Sequence, residues 1–475
     1  MKKFIIIGML FLSFIGYSQT TNTDEKVYKK RVLESAEVDI ITSYYSQNGD
    51  NASVTGGIGT EELTDFATDI SVSIPLNDDA VFAIDVTVSA YSSASSSNLN
   101  PFDTGDDDDN NFTNSIAVGS PWVESSGASK SDVWVSGNLS YSHSSDDRNT
   151  VLGTNLSFAK EYDYTSFGVG GNFTRLFNQK NTEFSLKANA YFDTWSPLYP
   201  KEIKTYVDGG QSINSGFFNA VDILDQNGSV IDKNGTDVWS PINTTLVDSK
   251  NRNTYSLSLS FSQILSKKAQ GSIFLDIIQQ NGWLANPMQR VYFGDKPNYY
   301  IGNPTSIPNY TSPTNTDVFQ LADDIERLPD TRFKIPIGAR FNYYINEYVT
   351  LRTYYRYYYD DWGITSQTAE IELPIKISDK FTLNPSYRFY KQTAADYFAP
   401  YEEHSSTSEF YTSDYDLSEF NSNQFGFGIS YKDIFTKFHI RNFGLKSIDL
   451  KYSSYKRNTG LKAGIISAGF KFVMD

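Results

Sequence analysis

Two sets of charged side chains recur at even separations along this chain, and their spacing is the first feature that could do chemistry. Glu37, Asp39, Asp65, Asp69 and Asp85 lie near its start. Arg332, Lys334, Arg340, Arg352, Arg356, Lys376 and Arg388 lie much later, interrupted by Glu370 and Glu372. Even spacing places side chains on one face of a β-strand. With that face turned to a polar interior, an acidic wall and a basic wall would set up a transverse field able to orient dipolar solutes. The alternative is that the charges pair with one another, or with inserted loops, and close the interior, because buried charges are normally paired.

Other chemistry is sparse. The absence of cysteine removes disulfides, thiolate metal sites, a cysteine nucleophile and a lipid anchor on an N-terminal cysteine. The only histidines, His143, His404 and His439, are too few for a histidine metal cluster, and His404 has no recognisable serine motif beside it. The chain therefore reads as a non-enzyme. Asp106, Asp107, Asp108 and Asp109 form an acidic run without the alternate spacing and closing Glu of an EF-hand. It reads as a solvated loop or a weak calcium site, and no other cofactor is expected. Trp195, Tyr199, Trp239, Trp283, Tyr299, Tyr300 and Trp362, read as exposed in long loops, could stack on sugars, dock a partner, or serve as interface anchors and loop packing.

The elements that would carry these groups are clearest from Thr331 to Tyr359. Phe333, Ile335, Ile337, Ala339, Phe341 and Tyr343 share one parity, and Arg332, Lys334, Arg340 and Asn342 the other. After a turn at Ile345 to Glu347 the alternation resumes, with Leu351, Thr353, Tyr355, Tyr357 and Tyr359 against Arg352 and Arg356. This is an antiparallel hairpin with one oily and one wet face. The cluster Tyr354, Tyr355, Tyr357, Tyr358 and Tyr359 suits an aromatic girdle where a strand leaves lipid. The pattern repeats from Val32 to Tyr45 through Ser366 to Ile377 and on to Lys462 to Met474, giving about 16 strands and no helical stretch. Short turns fall at every second junction, and long segments only at the others. The expected fold is therefore an all-β, transmembrane antiparallel β-barrel with long extracellular loops.

Composition agrees. Apolar residues make up 39% of the chain and mean hydropathy is -0.41, too low for a helical membrane protein but normal for a barrel. The net charge of -16 argues against a nucleic-acid partner. Met1 to Lys3, the apolar run Phe4 to Ile15 and the small residues before Gln19 read as a signal peptide over 1–18. A periplasmic lead-in over 19–30 and a barrel over 31–475 in the cell outer membrane would follow.

The signal peptide ending in Ser-Gln and the Tyr/Asn-rich strands resemble outer-membrane proteins of the Bacteroidota. Val123 to Asp132, with its local motif Ser126-Gly127-Ala128-Ser129, together with the length and barrel pattern, resembles the DUF3570 family over essentially the whole mature chain. That resemblance implies a barrel of unassigned role, with no catalytic residues to carry over. The last strand resembles the terminal signal read by the barrel assembly machinery, with Phe470 and Phe472 outward, although it ends in Asp475 rather than an aromatic residue. The partners expected are outer-membrane lipid, that machinery during biogenesis, and a small polar solute. Function is expected to be a pore or uptake channel with a charged lumen. The alternative is a non-conducting scaffold with a filled lumen, whose loops bind a protein, polysaccharide or redox partner.

Overall fold

The computed structural model describes residues 30–93, 132–309 and 318–474, of which Val32 onward forms one compact unit. Residues 1–29, the acidic run Asp106 to Asp109 and the motif Ser126 to Ser129 lie outside the described residues.

Sixteen strands make the wall: β1 Glu37–Asn48, β2 Leu63–Pro75, β3 Ala80–Ser93, β4 Asp132–Ser144, β5 Thr150–Lys160, β6 Tyr164–Phe177, β7 Thr182–Trp195, β8 Lys250–Ser266 and β9 Ala269–Gly282. Then come β10 Thr331–Tyr344, β11 Thr350–Asp360, β12 Thr365–Glu372, β13 Phe381–Gln392, β14 Phe420–Lys432, β15 Phe443–Arg457 and β16 Lys462–Met474. Each pairs antiparallel with the next, and β16 pairs back onto β1 from Glu37 opposite Val473 to Asn48 opposite Lys462. The sheet is a closed barrel without a free edge.

Register converts sequence parity into two surfaces. Across β4 to β7, Leu139, Leu156, Val169 and Ala190 stand side by side on the outer face, while Asn138, Ser157, Gly168 and Tyr191 share the inner one. Outer aromatics gather toward the two ends of the wall. Phe158, Phe167, Phe192 and Tyr359 stand near one rim, and Tyr141, Phe341, Phe381 and Tyr431 near the other. Two of the five tyrosines read as a girdle are corrected by this register. Tyr354 and Tyr358 share the inner face with Arg340 and Pro336, their direct partners, so only Tyr355, Tyr357 and Tyr359 look outward.

Proline and strand length explain other departures. The stretch read as one strand from Ser366 to Ile377 breaks after Glu372 and resumes at Ile375–Lys376, because Pro374 has no N–H for the ladder. The β9–β10 ladder lapses between Lys334 and Ile337, around Pro336. β1 begins at Glu37, opposite Val473 of β16, rather than at Val32.

Connections at the end holding both barrel termini are short, from 267–268 to 433–442. Those at the other end include 196–249, the described residues 283–309 and 318–330, and 393–419, and they fold on one another as a cap. A helix, α1 Lys201–Asp208, is too short to show in sequence periodicity; it turns Glu202, Ile203 and Tyr206 inward. Around it pack Phe217, Phe218, Ile223, Trp239, Phe319 and Leu321, all buried. Trp239, Trp362, Tyr299 and Tyr300, expected to be exposed, are therefore core residues, because these connections bury a hydrophobic interior of their own.

An ion pair ties the cap together. Arg290 and Glu202 are both fully buried and joined by two hydrogen bonds of 2.7 and 3.0 Å, while Arg290 also donates to the Val54 carbonyl at 2.9 Å. Removing one partner of such a pair strands a charge in a low dielectric. Glu202→Ala is expected to destabilise the cap by about 3–5 kcal/mol. Limited proteolysis should then cut within 196–330 while the barrel keeps its heat-modifiable migration.

Candidate functional site

Under the cap the lumen falls into two unlike halves. The first, bounded by β4 to β10, is a cavity of about 1200 Å³ lined largely by hydroxyls and amides such as Ser136, Asn138, Ser140, Asn155, Ser258 and Ser260. The second, of about 1130 Å³, lies toward the short connections and is lined by charge, including Asp39, Arg352, Glu372, Lys376, Asp449 and Lys471.

The register places the charged residues of both candidate walls on the inner face, but their partners divide them. Lys471 reaches Glu37 at 2.6 Å and Asp39 at 3.2 Å. Arg332 pairs with Asp360, Arg352 with Glu372 at 2.8 Å, Lys376 with Asp379 at 2.7 Å and Arg388 with Glu370 at 3.7 Å. Glu37, Asp39, Arg332, Arg352, Lys376 and Arg388, six of the twelve wall charges, are thus neutralised beside their own strands.

The others are not. Asp65, Asp69 and Asp85 accept from the hydroxyls of Ser89 (2.6 Å), Thr87 (2.7 Å) and Ser71 (2.6 Å), and Asp85 also accepts from Asn138 at 3.0 Å. Arg340 lies against the stacked rings of Phe274 and Tyr354, 5.5 and 5.6 Å from their centres, and Arg356 lies over Tyr358 at 5.7 Å. Among the described residues, none of these three carboxylates, nor Arg340, Arg356 or Lys334, makes an ion pair. The acidic trio sits on β2 and β3, the cationic trio on β10 and β11, eight strands away in a ring of sixteen, so they occupy opposite walls.

Phe470 and Phe472 face outward beside Ile40 and Val38. His143 shares the outer face with Ala80 and Leu152. His404 is buried in the cap, its Nε2 within 3.0 Å of the Thr412 carbonyl and 3.2 Å of Ser413 Oγ, with burial holding its pKa down. That enclosure suits packing rather than a reacting centre.

Two features escaped the sequence reading. One is the hydroxyl wall, whose signal is the alternation Ser256, Ser258, Ser260, Ser262 against Leu257, Leu259 and Phe261. The other is a set of buried carboxyls in the cap. Burial pushes Asp323 to about 7 and Glu326 to about 8, and raises Asp324 and Asp414 as well. Asp323 accepts from the Phe293 amide at 2.9 Å and has Lys296 and Glu402 nearby. Glu326 accepts from the Asn286 amide at 2.6 Å and from Thr412 Oγ1, and faces Asp414. Asp324 is bonded by Tyr411 and paired with Arg327 at 3.3 Å.

A closed antiparallel barrel of sixteen strands with a polar interior defines the class. The chain belongs to the family described as proteins of unknown function DUF3570, whose sequence profile matches residues 6–460. No curated protein matches it in sequence. Among solved structures, a bacterial polysaccharide outer membrane secretin is similar over 92% of this chain and 99% of its own, at 9% identity and a TM-score of 0.40. The outer membrane protein OpdK of Pseudomonas aeruginosa is similar over 92% and 99%, at 8% identity and a TM-score of 0.35. The toluene transporter TodX of Pseudomonas putida is similar over 93% and 89%, at 7% identity and a TM-score of 0.37. Identity this low says nothing of solute or partner.

The raised carboxyls make cap stability depend on pH in a definite direction. Each holds its proton more tightly in the folded cap than in an unfolded chain. Their contribution is therefore fully present below the unfolded value near 4 and is lost as pH climbs through about 7 and 8. Protection of the Phe293 and Asn286 amides against hydrogen exchange, corrected for intrinsic rate, should fall between pH 5 and pH 8.5. Glu326→Gln should flatten that dependence at Asn286; a protection that rises with pH would contradict the assignment.

Proposed function

We propose that this chain spans the outer membrane and passes small polar solutes through its lumen, with the cap as a gate at the outer mouth. The observation that carries the reading is the water-accessible, polar-lined interior inside a wall whose outer face is apolar and edged with aromatics. Exposed Leu139, Leu156, Phe158 and Ile273 would be untenable in water as a continuous band, and lipid satisfies them. Short connections on the periplasmic side and long ones outside is the usual arrangement, which puts the cap toward the medium.

The unpaired acidic and cationic groups on opposite walls supply a transverse field across the lumen, which orders water and dipolar solutes in transit. Charges paired along one wall add little to it, since neighbouring opposite charges cancel at a distance. The cap supports a second reading, in which the barrel does not conduct and serves as a scaffold for a partner. Its close-packed core around Phe218 and Trp239 is more than a loose loop needs.

Planar-bilayer recording of the refolded full chain separates the two. The pore reading expects ion current, greater when Glu202→Ala loosens the cap. Combining Arg340→Gln with Arg356→Gln should shift selectivity toward cations, because Asp65, Asp69 and Asp85 then face Lys334 alone. A correctly folded barrel that carries no current, even with the loosened cap, would overturn the pore and leave the scaffold.

A further inference from the structure

Between the upper wall and the edge of the cap lies a smaller pocket, of about 340 Å³, that belongs to neither half of the lumen. Trp195 ends β7 and Trp283 directly follows β9, and both line it, with Pro197, Leu198 and Met288 from the cap connections. Its polar groups are Glu161, Asp163, Arg252 and Asn286, with Tyr91 donating to Glu161. Of the seven aromatics that the sequence offered for stacking on a sugar, these two tryptophans line a pocket that also carries carboxylates.

The charges around the indoles narrow the ligand. Arg252 lies 5.3 Å from the Trp195 ring and Lys250 5.3 Å from that of Trp283, so a cationic ligand would meet like charge beside both indoles. Glu161 and Asp163 oppose an anion. A neutral molecule with an apolar face and several hydroxyls fits what is left. Its C–H face stacks on indole while its hydroxyls donate to the carboxylates and accept from Arg252 and from the Asn286 side-chain amide. A pocket of this size is at the small end for ligand sites, which suits one or two sugar rings.

The pocket also borders the larger cavity. Tyr164, 4.6 Å from Trp195 between ring centres, lines the hydroxyl-walled cavity below. There Ser136, Ser140, Ser157, Ser258 and Ser260 have no side-chain hydrogen-bond partner among the described residues, which leaves a column of exchangeable donors and acceptors, flanked at Ser258 by Lys187 and Asp276. Such a wall can take over a polyol's hydrogen bonds from water without trapping it.

We propose that the Trp195–Trp283 pocket is a subsite for a neutral sugar, which passes from it to the serine-lined wall of β4 to β8. The inference rests on the pore reading for its direction of travel, but binding at the pocket can be measured apart from conduction. The refolded full chain, checked for heat-modifiable migration, is titrated with maltotriose, choline and gluconate while tryptophan emission is followed. Maltotriose-induced block of the bilayer current is recorded in parallel.

The expected result is a saturable response to maltotriose alone, weakened roughly tenfold or more by Trp283→Ala. The more conservative Glu161→Gln should weaken it less while leaving the fold intact. No response to maltotriose, a stronger response to choline or gluconate, or unchanged binding by a folded Trp283→Ala protein would overturn the subsite. Current without maltotriose binding would sink the subsite and leave the pore standing. Binding without current would do the reverse.

Discussion

The ladder between β1 and β16 makes this sheet a tube, and the rest of the structure depends on it. Ile40 lies between Ile70 and Phe470, and Val38 between Val72 and Phe472, so the first and last strands of the wall agree on which face is oily. A slip of one residue at this seam would either turn Glu37 and Asp39 outward or carry Phe470 and Phe472 into the lumen. Closure also answers the hydrogen-bonding groups that an open edge would leave exposed, a condition that hydrocarbon surroundings make strict.

With two faces fixed, the interior can specialise by sector. One arc carries serine and asparagine, the arc opposite β2 and β3 carries unpaired cations, and the remainder carries ion pairs held along the wall. The cap is built on different physics. Its stability comes from a buried aromatic and aliphatic core and one buried ion pair, and it depends on pH through carboxyls that the wall does not share. With this separation, loss of the cap's packing need not break the wall, since hydrogen-bonded ladders and a small packed core have unrelated energetics.

Much of this could be read from residue order, and the reasons are local. Alternation along Phe333 to Phe341 states strand, face and interior at once, because the side-chain period of a strand is two whatever it packs against. The alternating lengths of the connections likewise follow from an up-and-down ring. The cap was hidden because its contacts are between segments far apart in the chain: Glu202 meets Arg290, and Trp239 donates to the carbonyl of Ala322. Nothing near Trp239 distinguishes a core tryptophan from an exposed one. Tyr354 and Tyr358 are contiguous in sequence with the outward Tyr355, Tyr357 and Tyr359 and differ from them only in parity, and the serine wall carries no charge to mark its face.

The central claim is that odd and even residues of one strand meet different solvents. The chain has no cysteine, so single cysteines can be placed one at a time from Ile337 to Phe341 and labelled with a small fluorophore in lipid vesicles. Brominated lipid should quench the label at Ile337, Ala339 and Phe341, and aqueous iodide the label at Gly338 and Arg340. Quenching that does not alternate, or iodide reaching all five positions equally, would contradict the account.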